Sequence, residues 1–287
     1  MTSADSCTIL ALGTAQLTQR YGITATHANH GDHASEVLAT AEELGFGALD
    51  TAPAYGASER AIGAYGWRGR VHTKIERGID PAQSLDSSLS ALGRKTVDVL
   101  YLHDSTEVTR PDSAVLRSAA RLVGGGTRAI GASIYDAEEF DAAVASSLVR
   151  VVQLPLNPID RRFAGAPLQR ARDAGVQVFV RSVFLQGVLL AKPSQLPGAV
   201  QPLARFVSAF QKIAEHHELS PAALALAWIR AQAGLAGVIV GAQGTRELRE
   251  LAAAWACDVP AVAISAVDHL DTPPEHFADP RRWTRLP

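Results

Sequence analysis

Cysteine is nearly absent from this 287-residue chain: only Cys7 and Cys257 occur. That is too few for a disulfide framework, and with no CxxC spacing a zinc site of the usual kind is not supported either. Dense basic runs are missing as well. With 27 basic against 29 acidic side chains and a formal charge of −2, nothing recommends a nucleic-acid or anionic-membrane partner. The doublets Arg161-Arg162 and Arg281-Arg282 read as solvated surface. No apolar run reaches the length that spans a bilayer; the nearest, Val176 to Leu190, is interrupted by Gln177, Arg181, Gln186 and Gly187. The first six residues lack a basic n-region, and Thr8 to Leu12 is too short for the apolar core of a signal peptide. A cytoplasmic protein is the expectation. A GxGxxG fingerprint is also missing after the first strand candidate, which removes the main support for an open, doubly wound dinucleotide fold. Gly124-Gly125-Gly126 follows a helix instead and reads as its stop and turn.

What is present is a large apolar fraction, 47% of residues, arranged as alternating strand and helix signals. Short apolar runs at Thr8–Leu12, Ala48–Asp50, Arg70–Lys74, Val97–Leu102, Arg128–Ser133, Val151–Leu154, Val176–Arg181 and Gly237–Val240 read as buried strands. Between them lie helical stripes at Ser35–Leu44, Ser58–Tyr65, from Pro81 to the stop at Gly93, Ser113–Leu122, Ala137–Ala145, Pro167–Ala174, Leu203–His217 and Pro221–Ala233, with Arg246–Trp255 after the last strand. A long loop is expected through Tyr21-Gly22, and little chain follows the last helix beyond Asp258-Val259-Pro260. Strands alternating with helices, without a linker that would separate two domains, predict one domain over residues 1–287, a single (β/α)8 TIM barrel with parallel strands inside.

Four titratable groups stand at the same end of three successive strand candidates. Asp50 and Tyr55 follow the run ending Ala48-Leu49-Asp50, Lys74 closes the next strand, and His103 closes the one after. Each alone reads as an ordinary loop polar group. Their recurrence at one rim of a barrel reads as a site, because that rim is where barrels carry their chemistry. A phenol alone is a weak acid at neutral pH, but an ammonium about 4 Å away stabilises its anion by roughly 4 kcal/mol at an effective dielectric near 20. Lys74 can therefore make Tyr55 a usable proton donor, Asp50 can hold Lys74 charged, and His103 can hydrogen-bond a carbonyl oxygen. That set suits proton delivery to a carbonyl and needs a hydride donor beside it. A metal-dependent hydrolase using Asp50, His72, His103 and Asp104 is an alternative, although it lacks an HxH pair. His72 itself reads as a buried structural histidine, Asp104 as a cap, and Trp228 and Trp255 as packing.

The segments Gly13-Thr14-Ala15-Gln16, Leu49 to Glu59, Thr73-Lys74, Tyr101-Leu102-His103, Gly131-Ala132-Ser133, Val152-Gln153 and Arg181 to Gly187 together resemble the aldo-keto reductase family, from about residue 9 to about residue 255. The resemblance implies a (β/α)8 barrel that binds NADP(H) or NAD(H) and interconverts a carbonyl (aldehyde, ketone or sugar-like) and an alcohol by direct hydride transfer. It carries a catalytic tetrad onto Tyr55, Lys74, Asp50 and His103, with Tyr55 as general acid or base. It carries cofactor contacts onto Gly13, Thr14, Ala15, Asp50, Ser133, Gln153, Arg181, Ser182, Val183, Phe184, Leu185, Gln186, Gly187, Gly241, Ala242, Gln243, Arg246, Glu247 and Glu250. Ser133 and Gln153 match positions that hold the nicotinamide carboxamide. Arg181 stands where many members place an aromatic over the nicotinamide ring, and Ile134 where most have Asn. Glu247 stands where NADP(H)-dependent members often have Arg; Arg246 or Arg249 can replace that cation if it points inward, and NADP(H) remains the expectation ahead of NAD(H). A cofactor-binding regulatory subunit with slow turnover is the other alternative.

Overall fold

The computed structural model describes residues 8–18 and 34–283; Cys7 and the loop expected through Tyr21-Gly22 lie outside them. Eight strands close into a barrel in chain order: β1 (Ile9–Gly13), β2 (Ala48–Asp50), β3 (Arg70–Lys74), β4 (Val97–Leu102), β5 (Thr127–Ser133), β6 (Val151–Pro155), β7 (Gln177–Arg181) and β8 (Leu235–Gly241). Every neighbouring pair is parallel, and β1 closes on β8 through Ile9↔Gly237 to Gly13↔Gly241. This is the (β/α)8 barrel that the alternation predicts. Parallel strands wrapped in helices leave no edge open to solvent.

The helices start and stop where short-range chemistry dictates. Helix α1 (Ala34–Glu43) and α2 (Ser58–Tyr65) precede α3 (Pro81–Leu92), whose first turn is held by Asp80 accepting from the Ala82 and Gln83 amides and whose end is a left-handed Gly93. Ser113 caps α4 (Ala114–Ala120) and Asp136 caps α5 (Ala137–Ala145) in the same way. After α6 (Ala166–Asp173), two helices, α7 (Ala204–His216) and α8 (Pro221–Arg230), separate β7 from β8. Helix α9 (Thr245–Ala256) follows β8.

Several boundaries differ from the sequence reading. Strand β8 extends to Gly241 because β1 offers it register partners up to Gly13, and back to Leu235 because β7 pairs it there with Val178, and α4 ends early where Leu122 opens the glycine turn through Gly124 at φ +88°. The largest difference is past α9. Helices α10 (Ala261–Asp268) and α11 (Glu275–Ala278) and the turn Pro280–Arg282 carry the chain back to the barrel mouth.

The arginine doublets expected at the surface tie this C-terminal arm down. Arg161 donates to the carbonyls of Val267 and Leu270, and Arg162 pairs with buried Asp160 at 2.8 Å. Arg281 is held by Asp279, itself 4% exposed. Trp228 is buried and gives its indole N–H to Asp268 of α10 at 2.7 Å.

Two apolar layers result. One lies between sheet and helices. The other fills the barrel itself, with Tyr101, Phe179, Val99, Val151 and Ile239 around His72, whose ring meets Phe179 edge-on at 4.7 Å. His72 is thus the structural histidine expected, pushed down to about 4 chiefly by burial.

Candidate functional site

The turn after β2 brings Tyr55 over the barrel mouth and is pinned on both sides. Ser58 Oγ donates to the Thr14 carbonyl at 2.8 Å, and Thr73 Oγ1 donates to buried Glu59 at 2.6 Å, so the start of α2 is strapped to β1 and β3. Below Tyr55, Lys74 points inward from β3. Its ammonium donates to both Asp50 carboxylate oxygens, at 2.9 and 2.8 Å, and to the Thr51 carbonyl at 3.0 Å. Lys74 Nζ lies 4.9 Å from the centre of the Tyr55 ring. Burial by itself would drive Lys74 toward its neutral form, yet the Asp50 carboxylate, with Tyr55, outweighs it and holds the ammonium above its usual range. The pair is 2% and 6% exposed, an enclosed positive charge with its counter-ion attached.

His103 leaves the end of β4 half-buried. Burial first, and then the Lys74 and Arg77 cations, push it down to about 4, so at neutral pH its ring is an uncharged donor and acceptor. Asp104 beside it is occupied as a cap, accepting from the amide and hydroxyl of Thr106.

Two cavities meet this cluster. A groove of about 210 Å³ runs from Asp50, Tyr55 and Gln153 along the β1–β8 seam, past Arg181 to Phe184 and on to Gly241 and Glu247. A second cavity of about 590 Å³ opens beside His103, between Ile75, Arg77, Ile79, Leu102 and Arg121.

The groove has the character of a cradle for an extended ligand. Its floor is Gly13 and Gly241, register partners that leave the backbone bare; a Cβ on Gly241 would sit 2.4 Å from Gln16 Oε1. One wall is the segment after β7, where Ser182, Leu185 and Gln186 all take left-handed φ near +50 to +56°. Strain of this kind costs of order 1–3 kcal/mol per residue and collects at ligand clamps.

Of the positions the sequence suggested, Gly13, Ala15, Asp50, Tyr55, Gln153, Arg181, Ser182, Val183, Phe184, Gln186, Gly187, Gly241 and Glu247 line this groove. Lys74 lies beneath it and His103 beside it. Thr14, Ser133, Leu185 and Ala242 are buried behind it, and Thr14 Oγ1 is committed to the Asp50 carbonyl at 3.0 Å. Gln153 gives its amide N–H to Asp50 Oδ1 at 2.7 Å. Arg246 and Glu250 pair with each other on the exposed face of α9, and Arg249 pairs with Glu43. The inward turn expected of Arg246 or Arg249 is therefore not what the side chains do. Glu247 instead caps the Gln243 amide at 2.7 Å. Sequence reasoning missed Gln16, Leu190, Ile239 and Val240 as groove walls; Ile239 could have been found from the two-residue alternation leading into Gly241.

Among the described residues no group of three or more His, Cys, Asp and Glu side chains could hold a metal ion, and Asp50, His72, His103 and Asp104 form no such group.

Comparison with known proteins agrees with the barrel fold. The profile of the Aldo/keto reductase family matches residues 9–272. An aldo-keto reductase of Strobilurus tenacellus is 26% identical over 275 residues, covering 83% of this chain and 81% of that protein. An aldo-keto reductase of Bacillus subtilis is 25% identical, and an NADH-specific methylglyoxal reductase of Escherichia coli 24%; the matches cover 56% and 60% of this chain and 54% and 58% of those proteins. In fold, a glycerol dehydrogenase from Gluconobacter oxydans superposes with TM-score 0.72 at 21% identity, covering 93% of this chain and 95% of its own. The holo form of an aldo-keto reductase from Bacillus halodurans gives TM-score 0.76 at 21% identity, with 92% of each chain covered.

Proposed function

Because the chain belongs to the aldo/keto reductase family, and is an oxidoreductase on that ground, we propose that it reduces a small carbonyl compound in the cavity beside His103 with a nicotinamide cofactor seated in the β1–β8 groove. The observation that carries this reading is the buried Lys74–Asp50 pair beneath Tyr55, with Asp50 and Tyr55 lining the groove and His103 lining the cavity beside it. When bound, the cofactor supplies or accepts the hydride. Everything else is the work of side chains. Tyr55 holds the proton that the carbonyl oxygen needs, and the Lys74 ammonium stabilises the phenolate left behind. Asp50 keeps Lys74 charged, and Gln153 fixes the carboxylate from the other side. His103, neutral, donates a hydrogen bond to the substrate oxygen without adding a charge. The cavity beside it falls in the size range of small-molecule sites.

The surroundings of Glu247 favour NAD(H), the reverse of the order expected from sequence. A carboxylate faces the groove there and both nearby arginines are paired on the outside, so among the described residues a 2′-phosphate would meet a negative charge with neither of these cations turned toward it. The test is a titration with NADH and NADPH followed by a carbonyl panel with the preferred cofactor. NADH bound at least tenfold tighter than NADPH, with that preference reduced or reversed by Glu247→Arg, is the expected result. Binding of neither at high micromolar concentration would overturn the reading.

A further inference from the structure

Arg181 is a cation with no carboxylate paired to it among the described residues. Among the described residues its partners are the Ile134 carbonyl at 3.0 Å and Ser182 Oγ at 3.3 Å, and its buried Nε has no partner. Nothing acidic approaches it within ion-pair distance among the described residues, whereas the Asp50 charge nearby is already matched by Lys74. The guanidinium is also not free to swing. Its Cζ lies 4.0 Å from the centre of the Tyr135 ring, and on that same ring Arg281 of the C-terminal arm stacks at 3.8 Å. Arg281 is itself locked by two-pronged contact with Asp279, and Glu139 accepts the Tyr135 amide at 2.6 Å. The acids of this assembly thus face Arg281 and the backbone, and the unmatched charge is the one that lines the groove.

That charge lies at the reacting end. Arg181 shares the groove with Asp50, Tyr55 and Gln153, and its field reaches His103, where it adds to burial and to the Lys74 and Arg77 cations in disfavouring the imidazolium. A nicotinamide ring is uncharged when reduced and carries one positive charge when oxidised. A fixed, incompletely solvated cation beside it therefore separates the two forms by electrostatics alone.

We propose that Arg181, held in place through Tyr135 and Arg281, makes the groove discriminate between oxidation states of the cofactor, admitting the reduced form and expelling the oxidised one. The inference rests on the function proposed above and deepens it. The bias acts on loading and release: the reduced cofactor occupies the site in the presence of excess oxidised cofactor, and the oxidised product leaves fast. It does not favour hydride departure once bound, because the same repulsion opposes the charge that forms on the ring.

The test is equilibrium binding, not turnover. Dissociation constants for NADH and NAD+ are measured on the full chain, its Arg181→Met and Arg181→Lys variants, and Arg281→Met, which does not line the groove, with thermal midpoints as a control for folding. The expected result is an NAD+/NADH ratio of dissociation constants that falls about tenfold in Arg181→Met, stays near the parent value in Arg181→Lys, and falls about threefold in Arg281→Met. A ratio unchanged within twofold in both methionine variants, with NADH still bound, overturns the inference and leaves the reductase reading standing. Absence of NADH and NADPH binding to the parent protein overturns both. Should Arg181→Met fail to fold, Arg281→Met decides the matter by the same ratio.

Discussion

Replacing Tyr55 by phenylalanine removes one oxygen atom and leaves the ring that Lys74 sits against, so it separates proton delivery from packing. Turnover should drop by roughly 10²-fold or more while NADH affinity changes little, as measured by steady-state kinetics beside a binding titration; unchanged turnover would remove Tyr55 from the role. His72 and His103 give a second handle at this scale. Both are pushed from about 6.5 to about 4, chiefly by burial. The unfolded chain therefore binds protons that the native one refuses between those values. Their contribution to stability is intact above about pH 6.5 and is lost as the pH falls toward about 4. The thermal midpoint should fall across that window, and fall less steeply in His72→Leu. Much of this was legible from residues alone, since Asp50, Tyr55, Lys74 and His103 lie at or just past strand ends. What escaped was orientation. That Gln153 turns to Asp50, or that Arg246 and Arg249 turn outward to Glu250 and Glu43, depends on rotamers and distant partners that no local spacing encodes.

Among the elements, the segment after β7 combines function with strain. Gln186 sits at φ 56°, ψ 29°, a left-handed conformation that glycine adopts more readily than a residue with a Cβ. Gln186→Gly should therefore raise the thermal midpoint by about 2–4 °C, equivalent to about 1 kcal/mol in a chain of this size. A fall by scanning calorimetry would show that the glutamine side chain stabilises more than its backbone strains. The regular elements were readable because their signals are local: Pro81 after Asp80, Pro221 after Ser220, Gly93 at a helix end. The C-terminal arm was not. Helix α10 has Pro260 at its start without a side-chain cap and buries only Ala263 and Val267, so neither its boundary nor its stripe stands out from the sequence. Arg281 looked like solvated charge for the same reason. Its partner ring, Tyr135, is supplied by the loop after β5, far away in the chain.

For the molecule as a whole, the barrel interior is packed without slack. A Cβ on Gly131 would lie 2.4 Å from Tyr101 Cδ1, and one on Gly237 would lie 2.4 Å from Phe179 Cε1. These two rings fill the barrel because the neighbouring strands carry no side chain there. Gly131→Ala should destabilise by about 1–3 kcal/mol through overpacking, read as a lower urea midpoint; an unchanged midpoint would mean that Tyr101 has room to move. The closed circuit of eight strands is what the alternation announced, and the sealed contact between Gly131 and Tyr101 is what it could not, because two residues adjacent across a sheet carry no common mark in the chain.

Closure of β1 on β8 also sets a timetable for synthesis. Thr8 donates to the Leu235 carbonyl, 227 positions later. At about 5–20 residues per second, roughly ten to fifty seconds pass on the ribosome before the first strand meets its last neighbour. Throughout that interval one edge of β1 stays unpaired, a template for any other extended chain nearby. A message cut short before β8 yields an open sheet with two adhesive edges, not a smaller barrel.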